Sequence, residues 1–96
     1  MRVMVLVKAT EDSEKGFFAT PEMKKMMEEM GKFNDELSKA GILRDADGLT
    51  PSLKGKRVAF DGTKRTVIDG PFAHPRELVA GFWLWEVKDM AEAIAW

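Results

Sequence analysis

Two segments of this chain, "VMVLV" at Val3–Val7 and "GFWL" at Gly81–Leu84, are apolar at every position. Successive side chains of a strand point to opposite faces of a sheet. A sheet with one face in water alternates apolar and polar residues, so an unbroken apolar run predicts cover on both faces. Two amphipathic helices are the elements expected to cover such a sheet in these 96 residues. They suffice for one face of a four- or five-stranded sheet. The economical source of the remaining cover is a second copy of the chain, because most homo-oligomers are closed two-fold assemblies. A homodimer joined sheet to sheet is therefore expected.

The remaining elements follow from local signals. Thr20-Pro21-Glu22 starts a helix: Thr20 caps, and Pro21 suits the first helical position because the N–H it lacks has no intrahelical partner there. Met23, Met26, Met27, Met30, Phe33, Leu37 and Ala40 recur at helical spacing, and Gly41 ends the helix as a left-handed cap. Ile42-Leu43 opens a second strand that fades into a loop through "DADGLTPSLKG". Val58-Ala59-Phe60 and Thr66-Val67-Ile68 flank Asp61-Gly62, a hairpin signal. Asp69-Gly70-Pro71-Phe72 is turn chemistry that delivers the apolar strand "ELVAGFWLW". Asp89 with Glu92 three residues on is a capping box for a second helix. Together these make one α+β domain over residues 1–96. It is most of a βαββαβ ferredoxin-like unit with the hairpin doubled and the last strand absent. Because the chain stops about two turns into the second helix, a longer natural reading frame or a shortened variant is expected.

Composition excludes several function classes. Lys and Arg are scattered and the net charge is −1, so the clustered positive charge that nucleic-acid binding needs is missing. Without cysteine there is no disulfide, thiolate metal site or cysteine nucleophile, and one histidine cannot build a His-rich metal site. "VMVLV" is too short to span a membrane and has no cleavage site behind it. A cytoplasmic protein with no metal and no cofactor is expected.

Five segments, "KATEDSE", "LSKAGIL", "GKR", "KRTVIDGPFA" and "GFWLWEVKDMAEAIAW", together resemble the YCII-related proteins, in particular the DGPF-domain branch. The signature is Asp69-Gly70-Pro71-Phe72 followed by Glu77-Leu78 and Gly81-Phe82-Trp83, and the similarity spans essentially the whole chain. The resemblance implies a ferredoxin-like fold with two helices on one sheet face, dimerising sheet to sheet as an α/β barrel. It implies no known reaction. Some relatives are linked to extracytoplasmic-function sigma factors, and the wider group resembles small enzymes that use a His–Asp pair. The chain departs from the pattern in three places. The first helix, "EEMGKFNDEL", lacks the family's histidine, His74 stands where the family carries an acid, and the C-terminal strand is missing.

The candidate site residues each carry two readings. Asp69 is a general base at a strand end, or a turn residue whose carboxylate accepts backbone N–H groups of its own loop. His74 is a proton-transfer group near Asp69, or a surface residue before Pro75. Lys8 places an ammonium at a cleft mouth, or points into solvent. Phe72 packs the turn down and borders the cleft. Trp83 and Trp85 lie on one strand face and line a ligand pocket, or supply core or interface bulk. Their face is expected to point toward a partner sheet, because two indoles beneath a helix already carrying Met26, Met30 and Phe33 would overpack it. The Met-rich helix and the acidic loop "ATEDSE" read as plain core packing and a solvated loop.

Three functions stay open at this point. The first is a small-molecule-binding homodimer, with elimination or isomerisation chemistry that uses Asp69 as base and His74 or Lys8 as an assisting group. The second is a non-catalytic binding or sensing module in a sigma-factor pathway. The third is a fold whose site has been lost.

Overall fold

The strand with the strongest apolar run takes the centre of the sheet. In the computed structural model, which describes residues 1–16 and 20–96, β5 (Val79–Glu86) is paired on both sides. β1 (Arg2–Lys8) and β2 (Leu43–Gly48) flank it, both antiparallel to it, in the order β1-β5-β2. β1 and β2 therefore run parallel, joined by helix α1 (Pro21–Lys39) in a split βαβ arrangement. β3 (Lys56–Asp61) and β4 (Lys64–Asp69) form a separate two-stranded hairpin, and α2 (Met90–Ala95) follows β5. The α+β class, the antiparallel sheet and the two helices agree with the sequence reading.

The local signals act as expected. The Thr20 hydroxyl accepts the Met23 N–H at 3.2 Å. Gly41 takes φ +75°, and the Ile42 N–H returns to the Leu37 carbonyl at 2.9 Å, which satisfies an end carbonyl of α1. Gly62, at φ +58°, is the first residue of the two-residue β3–β4 turn, the position a type II′ turn reserves for glycine. Asp89 caps α2 by accepting the Glu92 N–H at 2.9 Å, while the Glu92 carboxylate reaches the Lys88 N–H at 3.3 Å.

Among the described residues the sheet has three strands rather than four or five, because β3 and β4 pair only with each other, and two further expectations need correction. β2 does not fade after Leu43: it continues through Arg44-Asp45-Ala46-Asp47-Gly48, with an irregularity in register between Leu43 and Asp45. Strand propensity is poor there, and the ladder with β5 overrides it. The second of these concerns the tryptophans. Trp83 and Trp85 lie beneath α1, with the Phe33 ring edge-on to both at centroid distances of 5.9 and 6.3 Å. Overpacking is avoided by their neighbours. Val5 stands opposite Trp83 and Val3 opposite Trp85 on β1, and Ala46 stands opposite Trp83 on β2. Next to Trp83 these smaller residues leave volume for its indole, while Trp85 packs against Val3 and Leu43 in the core. Met26 also turns outward, at 47% exposure, and leaves Met23, Met27, Met30, Phe33 and Leu37 as the inward stripe.

The core is Leu37, Ile42, Trp85, Val87 and Ala93, with Val3, Val5, Phe33, Leu43 and Trp83 packed against it. Both helices thus cover the same sheet face. The opposite face carries Met4 and Leu6 of β1 beside Phe82 and Leu84 of β5, with Asp45 and Asp47 of β2 along its margin. Met4 and Leu6 are more than half exposed, so within one chain the apolar run Val3–Val7 is covered on one side. At the end of this sheet the Met1 ammonium donates to Glu86 at 3.1 Å and, with Arg2 and Arg44 nearby, holds the Glu86 carboxyl below its usual range.

The face assignment of α1 has a direct test in chemical denaturation. Leu37 is completely buried, so Leu37→Ala should cost about 2–5 kcal/mol, whereas Met26→Ala should stay within about 0.5 kcal/mol of wild type. Similar losses from the two variants would contradict it.

Candidate functional site

A cleft opens where α1 leaves the sheet. Met27, Met30 and Asn34 of α1 form one wall, and Val7, Ala46, Gly48, Ala80, Gly81 and Trp83 form the floor. Asp47 and Phe82 stand at its margin, and its volume is about 210 Å³. Glycine is required in the floor: a Cβ on Gly81 would come within 2.9 Å of the Asp47 carbonyl oxygen. The Trp83 indole N–H donates to the Asn34 carboxamide oxygen at 2.6 Å, which orients both side chains. With its oxygen so engaged, the Asn34 amide retains its NH₂ as donor. Asp47 is the one titratable residue in this lining among the described residues. The arrangement suits a small, largely apolar ligand held by a few polar contacts.

Asn34 escaped the sequence reading, although a signal existed. It lies four residues after Met30 and seven after Met27, a polar residue in the apolar stripe of α1. Asp47 was hidden by the expectation of a loop.

A second constellation surrounds the Asp69-Gly70-Pro71-Phe72 turn. Ser52, buried, donates its N–H to Glu14 Oε1 at 3.0 Å and its hydroxyl to Glu14 Oε2. The same hydroxyl accepts the Phe72 N–H at 3.0 Å. The Gly70 N–H donates to the Gly55 carbonyl at 3.0 Å, and the Gly70–Pro71 peptide is cis. A Cβ on Gly70 would lie 1.7 Å from the Ser52 carbonyl oxygen, so no other residue fits without moving backbone. Glu14 and Ser52 are 38 positions apart, and no local pattern announces their pairing.

The six candidate residues fall into separate places. Trp83 lines the cleft, and Trp85 lies behind it in the core, 4% exposed, its centroid 6.0 Å from that of Trp83. Phe72 packs at the base of the hairpin, where the Arg57 guanidinium stacks 4.1 Å above its ring. Asp69 is exposed, and its carboxylate accepts from the Lys56 ammonium at 2.5 Å. No backbone N–H of its own loop reaches that carboxylate among the described residues: the turn is held from outside, by Ser52 and Gly55. His74 is exposed beside Pro75, Arg76 and Glu77 in a shallow surface depression, and its carbonyl accepts the Glu77 N–H at 3.0 Å. No hydrogen bond joins His74 to Asp69 among the described residues. Lys8 is exposed at the end of β1, where the register with β5 shifts.

This geometry accompanies a match to the YCII-related domain over residues 1–96. The chain belongs to the YCII-related domain family. No curated protein matches it closely enough for comparison. In this YCII-related chain the first helix brings Asn34, rather than a histidine, to the sheet.

Two variants separate the roles at the turn. Ser52→Ala strands the Phe72 N–H and a Glu14 oxygen, so it should cost about 1–3 kcal/mol in equilibrium unfolding. Asp69→Ala removes an exposed ion pair and should cost less than about 1 kcal/mol. A reversed order would show that Asp69, not Ser52, holds the turn.

Proposed function

We propose that this YCII-related protein, which we assign to the DGPF-domain branch, is a homodimer that binds a small apolar molecule in the cleft between α1 and the sheet. The observation that carries the reading is the cleft itself, floored by small residues and walled by two methionines and by Trp83 with its bonded Asn34. Methionine side chains adapt to irregular ligand shapes, and an aromatic wall offers area at little entropic cost. With Asp47 as the single charge at the margin, the lining favours neutral or cationic ligands over anions.

The shape of the chain supports the dimer. Its radius of gyration is 16.0 Å, against about 12.5 Å for a compact domain of this length. Its accessible surface is 7210 Å², about 1,700 Å² more than a compact monomer of this mass exposes. A standard interface takes about 800 Å² from each partner. The Met4, Leu6, Phe82 and Leu84 face is the natural place for sheet-to-sheet contact.

Binding is favoured over chemistry because no base other than Asp47 lines the cleft among the described residues. The catalytic alternative rests on Asp69 and His74, which stand on the same exposed turn, five residues apart, with Lys8 assisting. It predicts that Asp69→Asn abolishes turnover of an elimination or isomerisation substrate and leaves the fold intact. The binding reading, including a sensing module of a sigma-factor pathway, predicts that this variant still binds.

A thermal-shift screen of small neutral and cationic aromatic compounds tests the cleft. A compound at one hundred times its dissociation constant should stabilise the protein by about 2.7 kcal/mol. Ala46→Phe, which fills the cleft, should abolish that shift. A shift that survives Ala46→Phe in a folded protein would place the ligand elsewhere. Light scattering should give twice the chain mass, and Leu84→Arg should halve it.

A further inference from the structure

The β3–β4 hairpin is a two-stranded sheet of its own, and every residue of both strands is exposed. An isolated hairpin is marginal in water and needs a surface to pack on. Its own chain touches it at the base, where Arg57 stacks on Phe72 and lies 3.7 Å from Glu77. The cross-strand register sorts its side chains. Arg57–Ile68, Ala59–Thr66 and Asp61–Lys64 share one face, and Lys56–Asp69, Val58–Val67 and Phe60–Arg65 share the other. On the second face Val58, Val67 and Phe60 are 45, 57 and 70% exposed. Arg65 lies over the Phe60 ring, 5.4 Å from its centroid, and is in ion-pair reach of no carboxylate among the described residues.

The open face of the main sheet is complementary to this one. It is apolar at Met4, Leu6, Phe82 and Leu84 and acidic along β2 at Asp45 and Asp47, which form no ion pair among the described residues. An apolar strip carrying a guanidinium therefore has a matching apolar strip bordered by carboxylates, none of them in an ion pair among the described residues; Asp45 also accepts the Ala46 N–H at 2.9 Å. The surplus surface of each chain is large enough to accommodate both contacts of a two-fold pair.

We propose that each hairpin clasps a second copy of the chain. Val58, Phe60 and Val67 dock on the β2 side of its open sheet face, and Arg65 meets its Asp45 and Asp47. Asp47 and Phe82 also border the cleft, so the docked hairpin abuts the margin of the partner's cleft. The clasp rests on the dimeric reading above and adds an intermolecular charge pair that sheet-to-sheet contact alone does not require.

Charge exchange tests it. Arg65→Glu and Asp47→Arg are both on exposed side chains, so circular dichroism should show an unchanged fold. Each variant alone should raise the dimer dissociation constant about tenfold or more at low salt, measured by sedimentation. Mixing the two proteins should restore wild-type affinity, because the heterodimer regains both opposite-charge pairs. The double variant on one chain should restore it as well. A wild-type dimer with both variants at wild-type affinity, or a mixture no tighter than either variant alone, overturns the clasp and leaves the dimer standing. A wild-type monomer at micromolar concentration overturns both.

Discussion

The contact between α1 and the Trp83–Trp85 face of β5 holds the rest of the structure in place. β5 is paired on both sides, so its residues join β1 to β2, and the indoles reach from that central ladder to Phe33 and Leu37 of the helix. Each indole adds a large apolar area, worth roughly 25 cal/mol per Å² removed from water. The arrangement works because the neighbouring strands supply Val3, Val5 and Ala46 at the opposing positions. Where those neighbours shrink further, to Gly48 and Gly81, the volume is left unfilled and becomes the cleft. Core and candidate site are two ends of one packing arrangement.

The Asp69-Gly70-Pro71-Phe72 turn plays a different part. It is held by Ser52 and Gly55 from a distant loop, with Glu14 gripping Ser52 in turn. The lack of room at Gly70 explains why glycine stands there without any appeal to catalysis. This anchoring fixes where the hairpin leaves the body of the protein and leaves its strands exposed. Asp69 and His74, the residues of the turn with acid–base chemistry, remain at the surface, while the cleft is built on other elements.

Two groups of exposed apolar side chains are contiguous across paired strands: Met4 and Leu6 on the open sheet face, and Val58, Phe60 and Val67 on one face of the hairpin. Patches of this kind on small proteins mark interaction surfaces. In the proposed dimer, pairing them across a two-fold axis would remove both from water and bring Arg65 toward Asp45 and Asp47, none of which has an ion-pair partner among the described residues. The proposed pairing would also cover the second face of a strand that is apolar on both faces in a chain whose helices cover one.

Much of this architecture is legible in the sequence because its causes are local. Thr20-Pro21, Gly41, Asp61-Gly62 and Asp89 with Glu92 each set a boundary through bonds made within a few residues, and all act as read. The apolar period of α1 is equally local, although which methionine turns outward is not. Tertiary structure alone decided that the indoles go under the helix, because that depends on small side chains on two other strands. It also carried β2 through Asp45 and Asp47, because the ladder with β5 outweighs their weak strand propensity. Ser52 and Glu14 meet across 38 residues, a pairing with no periodicity to betray it. The cleft belongs to the same class: a cavity is the space several elements fail to fill, and no single stretch of sequence encodes it.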